Sequence, residues 1–233
     1  MSLLAQRSGA DHMDSDDYLK NGYHVDRYHA LEEDLLEFFD YMSLEFYPSV
    51  EERQAIRSMY LADLLLRIGS NIDIFFSKYI ITHQSVPECS TIAGEKEPDF
   101  WNWGDFKKLE TNLQLSVLNV YIIATKETIY PFRRDGKRDG TKWNEINRTE
   151  NFWWNSYNKV KHDGIFDKAN LDNVIQALAA LFLLVCREKN SIKLLQYNYL
   201  GIDPSQRDYV ITGRIKEMKN PIYTNLFIPS ITS

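Results

Sequence analysis

The densest run of chemically capable side chains in this 233-residue sequence is Trp153–Trp154–Asn155–Ser156–Tyr157–Asn158–Lys159–Val160–Lys161–His162–Asp163. On a helix, Asn158 and His162 are one turn apart and share a side. Imidazole titrates near neutrality and can accept or donate a proton during a reaction. An amide one turn away can orient a ligand oxygen or the ring. Lys159 and Lys161 add positive potential of use to a phosphate, and Lys159 can pair with Asp163 across one turn. His162 falls near the end of its helix, where the dipole favours a cation. Read this way, His162 and Asn158 are the catalytic candidates of a phosphate-handling group. The same residues also fit a structural reading: hydrogen bonds at a joint between two helices, solvated lysines and two core tryptophans. At the level of sequence both readings stand.

Asn158-x-x-x-His162, within the run Tyr157 to Asp163 and followed by an apolar helix from Asn170, resembles the signature of the HEPN-like superfamily. The resemblance covers about Asn151 to Cys186, with weaker support from an apolar segment at Val50 to Thr82. It implies a helical bundle, usually dimeric. Active members are metal-independent ribonucleases of toxin, antiphage and RNA-processing systems. In their motif an arginine holds the scissile phosphate while histidine works at the 2′-hydroxyl or the leaving oxygen. Asn158 matches the polar position and His162 the histidine. The arginine would fall at Tyr157, where this sequence departs from the pattern. Tyrosine donates one hydrogen bond and no charge, and lysine supplies charge without the bidentate fork. The phosphate-binding candidates are therefore Lys159, Lys161, Tyr157 and Arg148, the last lying just upstream and able to fold back toward the ring.

Other chemistries find little support. Gly136 and Gly140 bracket Lys137 and Arg138, but no phosphate-binding P-loop pattern is present, and metalloprotease, nucleophile-elbow and EF-hand motifs are missing. The two cysteines, Cys89 and Cys186, sit in unlike neighbourhoods and form no CxxC pair. A reducing compartment, the cytoplasm, is expected, with no disulfide, no metal site and no cofactor. A metal would need His12, His24, His29 or His83 to converge. The longest apolar run, Ala177 to Cys186, is half of the roughly 20 residues a membrane span needs, so no membrane association is expected.

Patterning then places these residues on elements. Tyr18 to Tyr28 reads as a short arm or irregular helix. Leu31, Leu35, Phe38, Phe39, Met42 and Phe46 recur at helical spacing with an acidic outer face, and Pro48 ends that helix. Ser49 with Glu52 is a capping box that opens a long helix, Val50 to Thr82, buried along Leu61, Leu64, Leu65, Ile68, Ile72, Phe75 and Phe76. Gly69 inside it marks close helix packing. His83 to Phe100 reads as a loop, and Asn102 caps a helix to about Leu113 with Asp105 in its first turn. Leu115 to Ile129 is rich in β-branched residues and leans to a small hairpin, although its length also permits a helix. Arg133 to Arg138 is a basic turn. Phe152 to His162 is a short helix stopped at Asp163–Gly164. Asn170 caps the next helix, which runs to about Lys189 with Asp172 in its first turn; it is apolar nearly all round, as a central helix must be. The tail 201–233 reads as extended chain that wraps the bundle or helps form a dimer.

The expected architecture is mainly α: a bundle of four or more helices with a small β-hairpin insertion and an extended C-terminal tail, in one domain over 18–233 after a disordered 1–17. The net charge of −6 argues against coating nucleic acid by bulk electrostatics, and leaves room for a local basic patch. An aromatic content of 13% fits either a core of large rings or an aromatic interface. Two functions follow. One is a homodimeric protein that handles RNA or nucleotide phosphate. The other is a non-catalytic helical scaffold for a protein partner, in which His162 would be buried against backbone.

Overall fold

A computed structural model describes residues 15–147, 152–187 and 224–230, with side chains from His24 onward. Its architecture is mainly α, with eight α-helices and one small three-stranded antiparallel sheet among the described residues. The helices are α1 (Ser15–Tyr41), α2 (Val50–Ala55), α3 (Met59–Thr82), α4 (Pro87–Glu95), α5 (Trp103–Lys107), α6 (Glu110–Leu113), α7 (Trp153–Asp163) and α8 (Leu171–Arg187). The strands are β1 (Asn119–Ile122), β2 (Glu127–Ile129) and β3 (Phe227–Ser230), ordered β2-β1-β3.

Helix α8 is the axis of the molecule because it has no polar face to give to water. Every side chain from Leu171 to Cys186 is buried, as an all-round apolar helix requires. Asn170 opens it by accepting the Asn173 amide at 2.9 Å. Helices α1, α2, α3 and α7 pack around it. The expected stripe from Leu61 to Phe76 on α3 is buried in full. Tyr18 to Tyr28 is not a separate arm: it continues into α1, which ends at Tyr41, before the expected stop at Pro48. Residues 15–17, expected to be disordered, form its first turn, while 1–14 lie outside the described residues.

Tertiary contacts redraw three of the expected boundaries. The Ser49–Glu52 capping box is present, but the long helix breaks at Ile56, whose carbonyl accepts the Leu171 amide at 3.0 Å. Ser58 then caps α3 at the Leu61 amide, 3.1 Å away. On α2, just before the break, Arg53 is 1% exposed and sits on Asp172 at 3.0 Å, on Glu127 and on the Pro48 carbonyl at 2.9 Å. One guanidinium thus ties α2, α8 and β2 together, and Asp172 serves this ion pair rather than only the helix dipole. The expected loop 83–100 contains α4, which starts on Pro87, tolerated in a first turn, and buries Cys89 and Ile92. Asn102 does cap a helix with Asp105, but α5 stops at Lys107 and α6 follows as a separate turn.

The hairpin reading of Leu115 to Ile129 holds, with Tyr121 opposite Thr128. The described part of the tail supplies its third strand: Tyr121 of β1 also pairs with Ile228 of β3. Thr224 fixes the approach, accepting the Phe227 amide at 2.9 Å and lying 3.2 Å from the Tyr28 hydroxyl. Buried Glu32 accepts the Leu226 amide at 3.1 Å. This stretch is therefore paired into the fold as an edge strand of the sheet.

Candidate functional site

Helix α7 has two faces with different tasks. Asn155, Asn158, Lys159, His162 and Asp163 recur at steps of three and four and share one face. Together with Asn102 and Trp103 from the start of α5 they line a cleft of about 380 Å³. The face toward α3 carries Tyr157 and Lys161. The helix begins on Phe152 in extended conformation and ends at Gly164, whose φ of 63° lies in the left-handed region that glycine adopts without cost. The last turn, with His162 and Asp163, is left in solvent.

The opposite side of the cleft is held just as firmly. Asn102 accepts the Gly104 amide at 2.9 Å, and Asp105 returns the bond to the Asn102 amide at 3.0 Å. Buried Asp105 is neutralised by Lys96 at 2.9 Å. Trp103 packs on Trp143 with ring centroids 4.1 Å apart and on Trp154 at 5.1 Å. Beneath lie Phe76, Phe106, Phe132, Phe152 and Trp153, all buried, so the bulk of the large rings answers to the core reading of the aromatic content.

The catalytic candidates come together. His162 is exposed and makes no hydrogen bond or ion pair among the described residues, and the same holds for the Lys159 ammonium. Asn158 is half-buried and donates to the Trp154 carbonyl at 3.1 Å, which leaves its side-chain oxygen unengaged. The amide does not bond the imidazole. The structural reading is met by Trp153 and Trp154, which are core, and by Asn158, which bonds backbone; the exposed His162 ring does not meet the buried position that a scaffold role would give it.

Two of the phosphate-binding candidates are elsewhere. Tyr157 is fully buried, and its hydroxyl donates to Asp73 of α3 at 2.6 Å. Burial first, and the Asp73 carboxylate second, push that phenol up to about 12. Lys161 reaches the same Asp73 oxygen at 3.1 Å and lies over the Tyr157 ring at 5.2 Å. Burial alone would lower the Lys161 ammonium, and contact with Tyr157 and Asp73 outweighs this and raises it. Tyr157 is thus a packing residue, and Lys161 is its cover. The anticipated Lys159–Asp163 ion pair does not form. Arg148 lies outside the described residues.

Of the other lining residues, Asn102 reads in sequence as a helix cap and Asp163 as a partner of Lys159, while Trp103 and Asn155 carry no motif signal as site residues. The period-3.6 polar stripe on α7 was a usable signal for Asn155 and Asp163. Nothing local in the sequence brings Asn102 and Trp103 to them, because that approach is made by the shared aromatic core. No group of three or more His, Cys, Asp or Glu residues is placed to hold a metal among the described residues, and none of the described helices is long and apolar enough to cross a membrane. Comparison with protein-family models, curated proteins and solved structures finds no match to this chain.

Proposed function

We propose that the cleft on α7 handles RNA or nucleotide phosphate, and that the chain is a weak, metal-independent endoribonuclease of the kind used in toxin and antiphage systems. What carries the reading is the His162 ring, exposed at the mouth of a cleft and free of partners among the described residues, with the Lys159 ammonium one turn away and likewise unpaired. In the reaction, His162 takes the proton of the ribose 2′-hydroxyl, and the 2′-oxygen attacks the adjacent phosphorus. The bond from phosphorus to the 5′-oxygen breaks, and that oxygen takes a proton from water as His162 returns its own proton to solvent. The products are a 2′,3′-cyclic phosphate and a 5′-hydroxyl. Lys159 balances charge on the non-bridging oxygens, and the Asn158 side-chain oxygen can accept from the ribose. Without an arginine fork the phosphate is held by a point charge alone, so a low rate is expected.

Beside the cleft Ile165 and Phe166 stand in solvent at 41% and 44% exposure. They support a second copy docking there, as a two-fold dimer would. The test is a pool of structured RNAs treated with purified protein in the presence of a chelator. Wild type should give cyclic-phosphate ends, and His162→Ala should be slower by about 100-fold or more, the usual worth of a positioned acid–base group. Identical treatment of the RNAs by both proteins ends the nuclease reading. Expression in a bacterial host should arrest growth with wild type and not with His162→Ala.

A second reading, a surface for a protein partner, is favoured by a different place. Tyr41, the last residue of α1, and Phe46, in the turn that follows, are 84% and 78% exposed, next to a groove lined by Leu36, Phe39, Leu44, Tyr121 and Leu226. Phe46→Ser with Tyr41→Ser should leave RNA cleavage unchanged and abolish association with any protein captured through this face.

A further inference from the structure

The cleft carries both signs of charge. Asp163 lines it beside His162 and Lys159, with no ion pair among the described residues. A carboxylate on the same cleft works against Lys159 in holding a phosphate. A site for phosphate alone would improve by losing Asp163. The carboxylate becomes useful when the ligand is anionic at one end and offers N–H donors at the other. The rest of the wall has the same mixed character. The Asn158 side-chain oxygen is an unused acceptor. Trp103, 7% exposed, adds a largely apolar side chain to the lining. At about 380 Å³ the cleft is several times larger than a phosphate and is of the size that takes a small organic ligand.

From these observations we infer that the cleft reads guanine: Asp163 accepts the two adjacent N–H groups of the guanine Watson–Crick edge while Lys159 and His162 take the phosphate of the same nucleotide. The inference rests on the phosphate reading above and adds a base preference to it. Two parallel N–H donors meeting two carboxylate oxygens is the geometry that makes such pairs strong. Guanine is the base with this edge. Adenine and cytosine place a ring nitrogen acceptor beside their amino group, which a carboxylate repels, and uracil offers one N–H between two carbonyls.

The test titrates 3′-GMP, 3′-AMP, 3′-UMP and inorganic phosphate into the full chain. Binding is followed by the His162 imidazole signals in NMR and by tryptophan fluorescence. In wild type, 3′-GMP should bind at least about tenfold more tightly than 3′-AMP or 3′-UMP, the worth of one charged hydrogen bond. Asp163→Ala should remove that preference and leave phosphate binding equal or stronger. The Asp163 side chain is exposed and has no partner among the described residues, so the variant keeps the fold. Equal affinity for the three nucleotides with phosphate still bound overturns the guanine assignment and leaves the phosphate reading standing. A guanine preference that survives in Asp163→Ala also overturns it, because the base is then read elsewhere. If none of the four probes binds, both readings fall together.

Discussion

Replacing Gly69 by alanine should destabilise this protein, although alanine is the better helix former. Gly69 lies in the middle of α3, where the exchange would ordinarily stabilise by about 1 kcal/mol. Here an added Cβ would sit 2.5 Å from Cε2 and 2.6 Å from Cγ of Tyr157, and closer still to Cδ2. The ring cannot swing aside, because it is fully buried and its hydroxyl is tied to Asp73 at 2.6 Å. Overpacking of this kind costs about 1–3 kcal/mol, more when no neighbour yields. With no neighbour free to yield, the cost lies at about 2–3 kcal/mol; less the helical gain, the net loss should be about 1–2 kcal/mol, a fall in Tm of roughly 2–8 °C for a chain of this size. The discriminating assay is a double-mutant cycle by urea unfolding. Tyr157→Ala alone should lose about 3–5 kcal/mol, and in that background Gly69→Ala should stabilise by about 1 kcal/mol. A coupling of about 2 kcal/mol or more is expected between the sites. If Gly69→Ala raises stability in the wild-type background, the α3–α7 packing described here is wrong, and with it the placement of the cleft face of α7.

Three further outcomes follow from the same structure. Arg53→Met should cost about 3–5 kcal/mol in urea unfolding, because it strands Asp172 as a buried charge with its ion-pair partner removed. Burial, helped by Lys78, lowers His24 from 6.5 to about 4. The unfolded chain therefore takes up a proton that the folded chain refuses between these values, so stability should fall by about 2–3 kcal/mol as pH drops from 6.5 to 4, and His24→Gln should flatten that part of the curve. Cys89 is buried with its thiol pushed up to about 11 by burial and then by Glu88, and Cys186 is raised further by burial. Neither should react with a disulfide reagent in the native state, and both should titrate in denaturant.

What the sequence made legible was periodicity and chain-local bonding. The apolar stripe of α3, the all-round apolarity of α8, the Ser49 capping box, the Asn102 cap and the Gly164 stop are each decided by residues within a few positions of one another, and each is present. What escaped was decided across the chain. Ile56 leaves the helical region to pair with Leu171, 115 positions away in a sequence whose local pattern favours an unbroken helix. Pro87 and the polar residues after it look like loop until the burial of Cys89 and Ile92 against α3 makes a helix worthwhile. At the site, the α7 stripe was readable, but the fate of Tyr157 and Lys161 was not. Both sit in the same eleven-residue helix as His162, and only the position of Asp73 on another helix decides that they turn away from it.

The pairing of β3 with β1 has a consequence for synthesis. Strand β1 leaves the ribosome about a hundred residues before the segment that closes its second edge. For all that time it offers a row of unsatisfied amides and carbonyls, with Val120, Tyr121 and Ile122 among the side chains that end up buried. An open apolar edge of this sort is a template for pairing with another nascent copy. Chains shortened before Leu226 would keep that edge open for good, and their failure should appear first as aggregation of newly made protein rather than as a milder loss in a purified sample.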